Sequence, residues 1–175
     1  MEIRRLREQD ERSQFRSGDD DLDRFFHRFA GQNQFRHYVG VTYVAVDDSD
    51  RIIGFVTVTV GQLESDNLPA SLRKKLPGYP LPVLRLARLA VDERLRGQGL
   101  GNQLLRFAID LAVKMAKDFG CVGIVVDAKQ QAVELYAKYG FVGLVAVEGA
   151  SNARPTPIPM FLAMRAISAA GKGVH

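Results

Sequence analysis

Tryptophan is absent from this 175-residue chain, and cysteine occurs once. A lone Cys121 excludes an intramolecular disulfide framework and a Cys-rich zinc site. Long apolar runs are missing too. No window approaches the roughly 18 uninterrupted apolar residues of a membrane span, and the opening Met1-Glu2-Ile3-Arg4-Arg5 lacks the apolar stretch of a secretion signal. There is no internal repeat and no low-complexity segment. A large charge excess is also absent: 24 Lys and Arg against 20 Asp and Glu leave +4. That balance is compatible with acidic partners such as nucleotides or RNA but selects none. What is present is a composition 46% hydrophobic and 25% charged. At this length it suits one domain burying about 70% of its unfolded surface. We expect a soluble, cytoplasmic protein with a single domain over residues 1–167 and a disordered tail over 168–175, with no metal and no membrane contact.

The patterning alternates between strand and helix. A short strand is expected at 2–7, then a helix that Ser17 or one of Asp19, Asp20 and Asp21 can cap, with Leu22, Phe25, Phe26, Phe29 and Ala30 on one face. Runs at 39–46 and 51–60 flank the polar turn Asp47-Asp48-Ser49-Asp50 and predict a hairpin. Pro69, Pro77, Pro80 and Pro82 punctuate a long functional loop over 61–82, with a short basic helix at 70–76. A central strand at 83–91 precedes a helix marked by Leu100, Leu104, Leu105, Ala108, Leu111, Ala112 and Met115. A buried-type strand at 121–127, a helix at 130–139, and strands at 141–147 and 160–167 follow. The order predicts an α/β fold with a mixed sheet.

Between the central strand and the long helix lies Arg96-Gly97-Gln98-Gly99-Leu100-Gly101. Glycines at alternate positions let a ligand approach the backbone closely, and a helix start offers unpaired N–H groups to phosphate oxygens. A diphosphate is the natural guest. The dinucleotide-binding loop of Rossmann folds is a poor match, because its third glycine is replaced by Asn102 and Asp92 to Arg96 separate strand from loop. No Gly-Lys-Ser/Thr follows, which excludes a P-loop.

This hexapeptide matches Arg/Gln-x-x-Gly-x-Gly/Ala, and the chain resembles the GNAT N-acetyltransferases. Leu89-Ala90-Val91-Asp92 resembles that family's fourth strand, and Glu134-Leu135-Tyr136-Ala137-Lys138-Tyr139-Gly140-Phe141 resembles its Tyr-x-x-x-Gly-Phe segment. The resemblance covers nearly the whole chain. It implies a GNAT fold, with a mixed and mostly antiparallel central sheet flanked by helices, and direct acetyl transfer from acetyl-CoA to an amine without an acyl-enzyme. It further implies that the backbone of Leu89, Ala90 and Val91 pairs with pantetheine, the Val91 N–H polarising the thioester. Arg96, Gly97, Gln98, Gly99, Leu100, Gly101 and Asn102 would hold the pyrophosphate. Tyr136 is implied as the general acid for the departing thiolate. Where many members carry a cofactor-contacting Asn, this chain has Lys129, which is assigned no such role. Asp92 and Glu93 read as solvated turn residues, so no general base is marked, and Cys121 reads as a strand residue.

Within the family, Phe15-Arg16-Ser17-Gly18-Asp19-Asp20-Asp21-Leu22-Asp23-Arg24-Phe25 resembles the Phe-x-Ser-Gly-x-x-x-Leu-Asp-x-Phe opening of acetyltransferase toxins from bacterial toxin–antitoxin pairs. The segment from Leu76-Pro77 to Arg88-Leu89-Ala90-Val91-Asp92 extends that likeness. The resemblance implies acetylation of the α-amine of aminoacyl-tRNA, a block on translation, a small ribbon-helix-helix antitoxin and a homodimer. Charge placement agrees: Arg73, Lys74, Lys75, Arg85, Arg88, Arg94 and Arg96 crowd one stretch against only Asp92 and Glu93. Arg73, Lys74, Lys75, Arg85 and Arg88 are the candidate RNA contacts. Two readings from other classes stay open: a housekeeping enzyme acetylating a small amine, peptide or protein N-terminus, and a non-catalytic acetyl-CoA-binding module. An additional loop at 145–156 is expected to reshape the acceptor site.

Overall fold

The computed structural model describes residues 1–144 and 156–172. Among the described residues seven strands, β1 (Glu2–Arg5), β2 (Val41–Val46), β3 (Ile52–Leu63), β4 (Leu81–Val91), β5 (Gly123–Ala128), β6 (Val142–Gly143) and β7 (Ile158–Ala163), form one sheet in the order β1-β2-β3-β4-β5-β7-β6. The pairs β1/β2, β2/β3, β5/β7 and β6/β7 are antiparallel. The helices are α1 (Asp20–Arg24), α2 (Ala30–Phe35), α3 (Ala70–Arg73), α4 (Leu100–Asp118), α5 (Val133–Lys138) and α6 (Met164–Lys172). The expected mixed α/β architecture is therefore present. The chain divides into two compact units, one made of Met1–Thr59 with Leu86–Ala108, the other of Val60–Arg85 with Ile109–His175.

In the first unit the hairpin closes as its residue types dictate. Asp47 accepts from the backbone N–H groups of Ser49 and Arg51, both at 2.9 Å, and Asp50 takes a left-handed φ of 61°. The opening motif also acquires a physical reason. Asp19 caps α1 by accepting from the Asp21 and Leu22 N–H groups. The buried Asp23 carboxylate receives the Ser17 N–H at 2.9 Å and the Ser17 hydroxyl at 2.7 Å, locking the turn to the helix. A π-helical turn, Phe25–Phe29, joins α1 to α2. It buries Phe26, which stacks on Phe55 at 4.4 Å while Phe15 meets both rings edge-on. Such pairs contribute about 0.5–1.5 kcal/mol each beyond the burial of their area.

In the second unit Leu63, Leu68, Leu81, Val83, Val125 and Phe161 form a core, with Leu72 and Leu76 packed on it. Residues 64–80 are therefore tethered by their leucines rather than meandering. The chain end departs from expectation. The last strand stops at Ala163, and Met164–Lys172 is a helix. Met164-Arg165-Ala166-Ile167-Ser168-Ala169-Ala170 is rich in good helix formers, and that intrinsic preference outweighs continuation of the strand. The expected strand at 141–147 is limited to Val142–Gly143 among the described residues. Most of the 145–156 loop lies outside them.

Candidate active site

The glycine loop belongs to the first unit. Gly97 and Gly99 have φ of 79° and 82°, a left-handed conformation that glycine adopts without a steric penalty, and a Cβ on either would meet only open space. The loop thus exposes bare backbone just ahead of the 19-residue α4, whose N-terminal N–H groups and dipole favour an anion. Backbone, helix end and open surface together fit the diphosphate of a coenzyme. At Gly101 a Cβ would lie 3.8 Å from Val91, an ordinary contact, so alanine is sterically acceptable there.

Arg96 does more than introduce the loop. Its guanidinium donates to the Ser17 carbonyl and covers the face of Gly18, whose φ of 90° and lack of a side chain make room for it. The opening motif and the coenzyme loop are physically one construction. Upstream, Leu89, Ala90 and Val91 end β4, and Asp92 donates its N–H to the Ile53 carbonyl. Asp92 is 1% exposed and not the solvated turn residue expected from sequence. Its carboxylate receives the Arg94 guanidinium through two bonds of 3.0 Å and caps the turn Glu93–Leu95 by accepting the Arg94 N–H. The Arg94 bonds hold it below the ordinary carboxylate range, which suits a structural anion and not a base.

Tyr136 belongs to the second unit, on α5. The motif around it is a Schellman end. Gly140 has φ of 97° and donates to the Ala137 carbonyl at 3.0 Å, and Phe141 donates to the Tyr136 carbonyl at 3.2 Å. The Phe141 ring folds back edge-on against Tyr136, with ring centres 5.3 Å apart. That apolar contact is the usual companion of this helix end. Tyr136 is 5% exposed, and burial pushes its pKa up to about 12. Cys121 is buried too, its thiol donating to the Gly123 carbonyl at 3.2 Å; desolvation raises its pKa and suppresses the reactive thiolate.

The candidate RNA contacts fall in both units. Arg73, Lys74 and Lys75 are exposed together at the end of α3. Arg85, in the same unit, is paired with Asp127 at 3.6 Å. Arg88 lies in the other unit, its guanidinium carbon 3.7 Å above the Phe25 ring. Arg165, which the linear charge pattern did not reveal, donates to the Lys75 carbonyl at 3.3 Å and joins the α3 cations. Only the helical fate of the chain end brings it there.

A family model described as "Acetyltransferase (GNAT) domain" matches residues 39–143. The chain belongs to the GNAT acetyltransferases. A "tRNA-acetylating toxin" of Mycobacterium tuberculosis is 34% identical over 140 residues, 79% of this chain and 82% of that protein. Among solved structures, AtaT complexed with acetyl-methionyl-tRNAfMet superposes with a TM-score of 0.84 at 23% identity, over 97% of this chain and 98% of that one. AtaTR bound with AcCoA gives 0.78 at 24% identity, over 97% of each chain. At these identities the solved structures establish a shared fold. Among the described residues no helix is long and apolar enough to cross a membrane.

Proposed function

We propose that this protein transfers acetyl from acetyl-CoA to the α-amine of aminoacyl-tRNA, and so acts as a toxin that blocks translation. The observation that carries this reading is the 34% identity to a tRNA-acetylating toxin over four-fifths of both chains. The chemistry asks for a neutral amine at the thioester carbon, a donor for the developing oxyanion and a proton for the leaving thiolate. An aminoacyl ester has an α-amine less basic than a lysine side chain, so a strong general base is not required. The Val91 N–H is the oxyanion donor, and the 96–102 backbone holds the pyrophosphate. Tyr136, kept protonated by burial, is the general acid. Bound acetyl-CoA supplies the activated acyl group.

Arg73, Lys74 and Lys75, joined by Arg165, attract RNA phosphates. In this reading residues 1–167 act as one cytoplasmic domain, pairing into a homodimer and neutralised by a small ribbon-helix-helix antitoxin. Induction in bacteria tests the toxin role. Growth arrest that Tyr136→Phe relieves supports it, whereas an undiminished arrest in that variant removes the general-acid assignment.

A further inference from the structure

The first unit holds a pocket of about 190 Å³ lined by Phe25, Asn33, Val39, Thr57, Thr59 and Arg88 among others. Its hydroxyls are already engaged. Thr57 shares a 2.7 Å hydrogen bond with Thr42, and Thr59 donates to the Val39 carbonyl at 2.7 Å. Arg88 is different. It is half-buried, with one face of its guanidinium laid on Phe25. Desolvation is the one influence on its titration, pulling the pKa down, and among the described residues no carboxylate pairs with it. Arg4 and Arg94, by contrast, are each matched to an aspartate by two bonds of about 3 Å. A half-buried cation without an anion is unfavourable, and it persists here beside open volume. A guanidinium stacked on a ring keeps its N–H donors around the edge, the shape that takes a carboxylate or phosphate through two bonds.

We propose that this pocket receives an anionic group of the acceptor, with the Arg88 guanidinium as its two-pronged donor and Phe25 as the backing plate. The proposal rests on the aminoacyl-tRNA reading, which offers two anions of that shape. One is the carboxylate of an acidic aminoacyl side chain, the other a phosphodiester of the terminal nucleotides. Arg88 thereby becomes a determinant of which acceptor is used, separate from the exposed cations of α3.

Steady-state acetylation by wild type, Arg88→Lys and Arg88→Gln tests this with three acceptors: aminoacyl-tRNAs with neutral side chains, those charged with Asp or Glu, and puromycin, which carries an α-amine but no phosphodiester. If the anion is a phosphodiester, Arg88→Gln raises KM about tenfold for every aminoacyl-tRNA, leaves puromycin unchanged and alters kcat little, and Arg88→Lys recovers part of the loss. If it is a side-chain carboxylate, the loss is confined to Asp- and Glu-tRNA. Unchanged KM with all acceptors, or an equal fall in kcat with all of them, overturns the proposal. Calorimetric titration of AMP and of N-acetylglutamate into the CoA-saturated protein reads the pocket without catalysis. Should wild type acetylate no aminoacyl-tRNA, the functional reading fails. The pocket is then judged by these probes alone, standing if Arg88→Gln weakens binding of either and falling if it weakens neither.

Discussion

The Arg96–Asn102 loop and the Tyr136 turn both rest on left-handed glycines, yet they meet opposite requirements. Gly97 and Gly99 sit in the open, and their missing side chains leave the backbone N–H groups exposed for a charged guest. Gly140 instead ends α5 so that Phe141 can fold back on Tyr136 and keep the phenol out of water. One region exposes main chain, the other buries a side chain, and the proposed mechanism uses the first to bind coenzyme and the second to hold a proton. Substitutions should therefore divide cleanly between coenzyme affinity and turnover.

The largest expected effect is on turnover. Tyr136→Phe keeps the ring contact with Phe141 but removes the hydroxyl proposed as the acid, and should lower kcat by about 10²-fold or more with little change in the KM for acetyl-CoA. A rise in KM with unchanged kcat would break the comparison. Next in size, Gly99→Val places a branched side chain at φ of 82°. Left-handed strain of about 1–2 kcal/mol corresponds to roughly a tenfold rise in the KM for acetyl-CoA. Gly101→Ala should leave that KM nearly unchanged, since its Cβ meets only Val91 at 3.8 Å. Steady-state kinetics checks both.

Smaller again is the triple change Arg73→Ala, Lys74→Ala, Lys75→Ala. It should weaken binding uniformly across tRNAs and flatten the salt dependence by about 0.7–0.9 for each phosphate no longer neutralised. Binding titrations at several salt concentrations would show it.

The smallest effect is on stability at high pH. Burial places the folded Tyr136 pKa, about 12, above its ordinary value of 10. The stability that comes from keeping the phenol protonated is full below pH 10 and is lost as pH rises through 12. Wild type and Tyr136→Phe should show the same phenolate absorbance change up to about pH 10 and diverge above it. Divergence at lower pH would mean that the phenol is not buried in solution.

Much of this division was legible in residue types. The hairpin around Asp47 and Asp50, the apolar face of α4 and the alternating glycines are local signals, and local geometry realises them. The Phe-x-Ser-Gly opening was visible as a pattern, but its reason was not. Ser17 is fixed by Asp23 and Gly18 is faced by Arg96, so the reason spans 79 residues of chain. Asp92 misled for a different cause. A polar residue after a strand reads as solvated, but Arg94, only two residues on, closes over it. The basic stretch from Arg73 to Arg96 was continuous in sequence, yet it supplies an exposed cluster, an ion pair with Asp127 and a ring-stacked guanidinium. Charge density along a chain does not report which side chains share a face. At the C-terminus, helix propensity in Met164–Lys172 outweighed the strand pattern that precedes it.

The most direct test of the account is transfer of label from acetyl-CoA in a mixture containing the protein and total aminoacyl-tRNA. Label on the aminoacyl end of tRNA, abolished by deacylating the tRNA first and strongly reduced by Tyr136→Phe, is the predicted result. Label on a free amine, peptide or protein N-terminus, with none on tRNA, would contradict it.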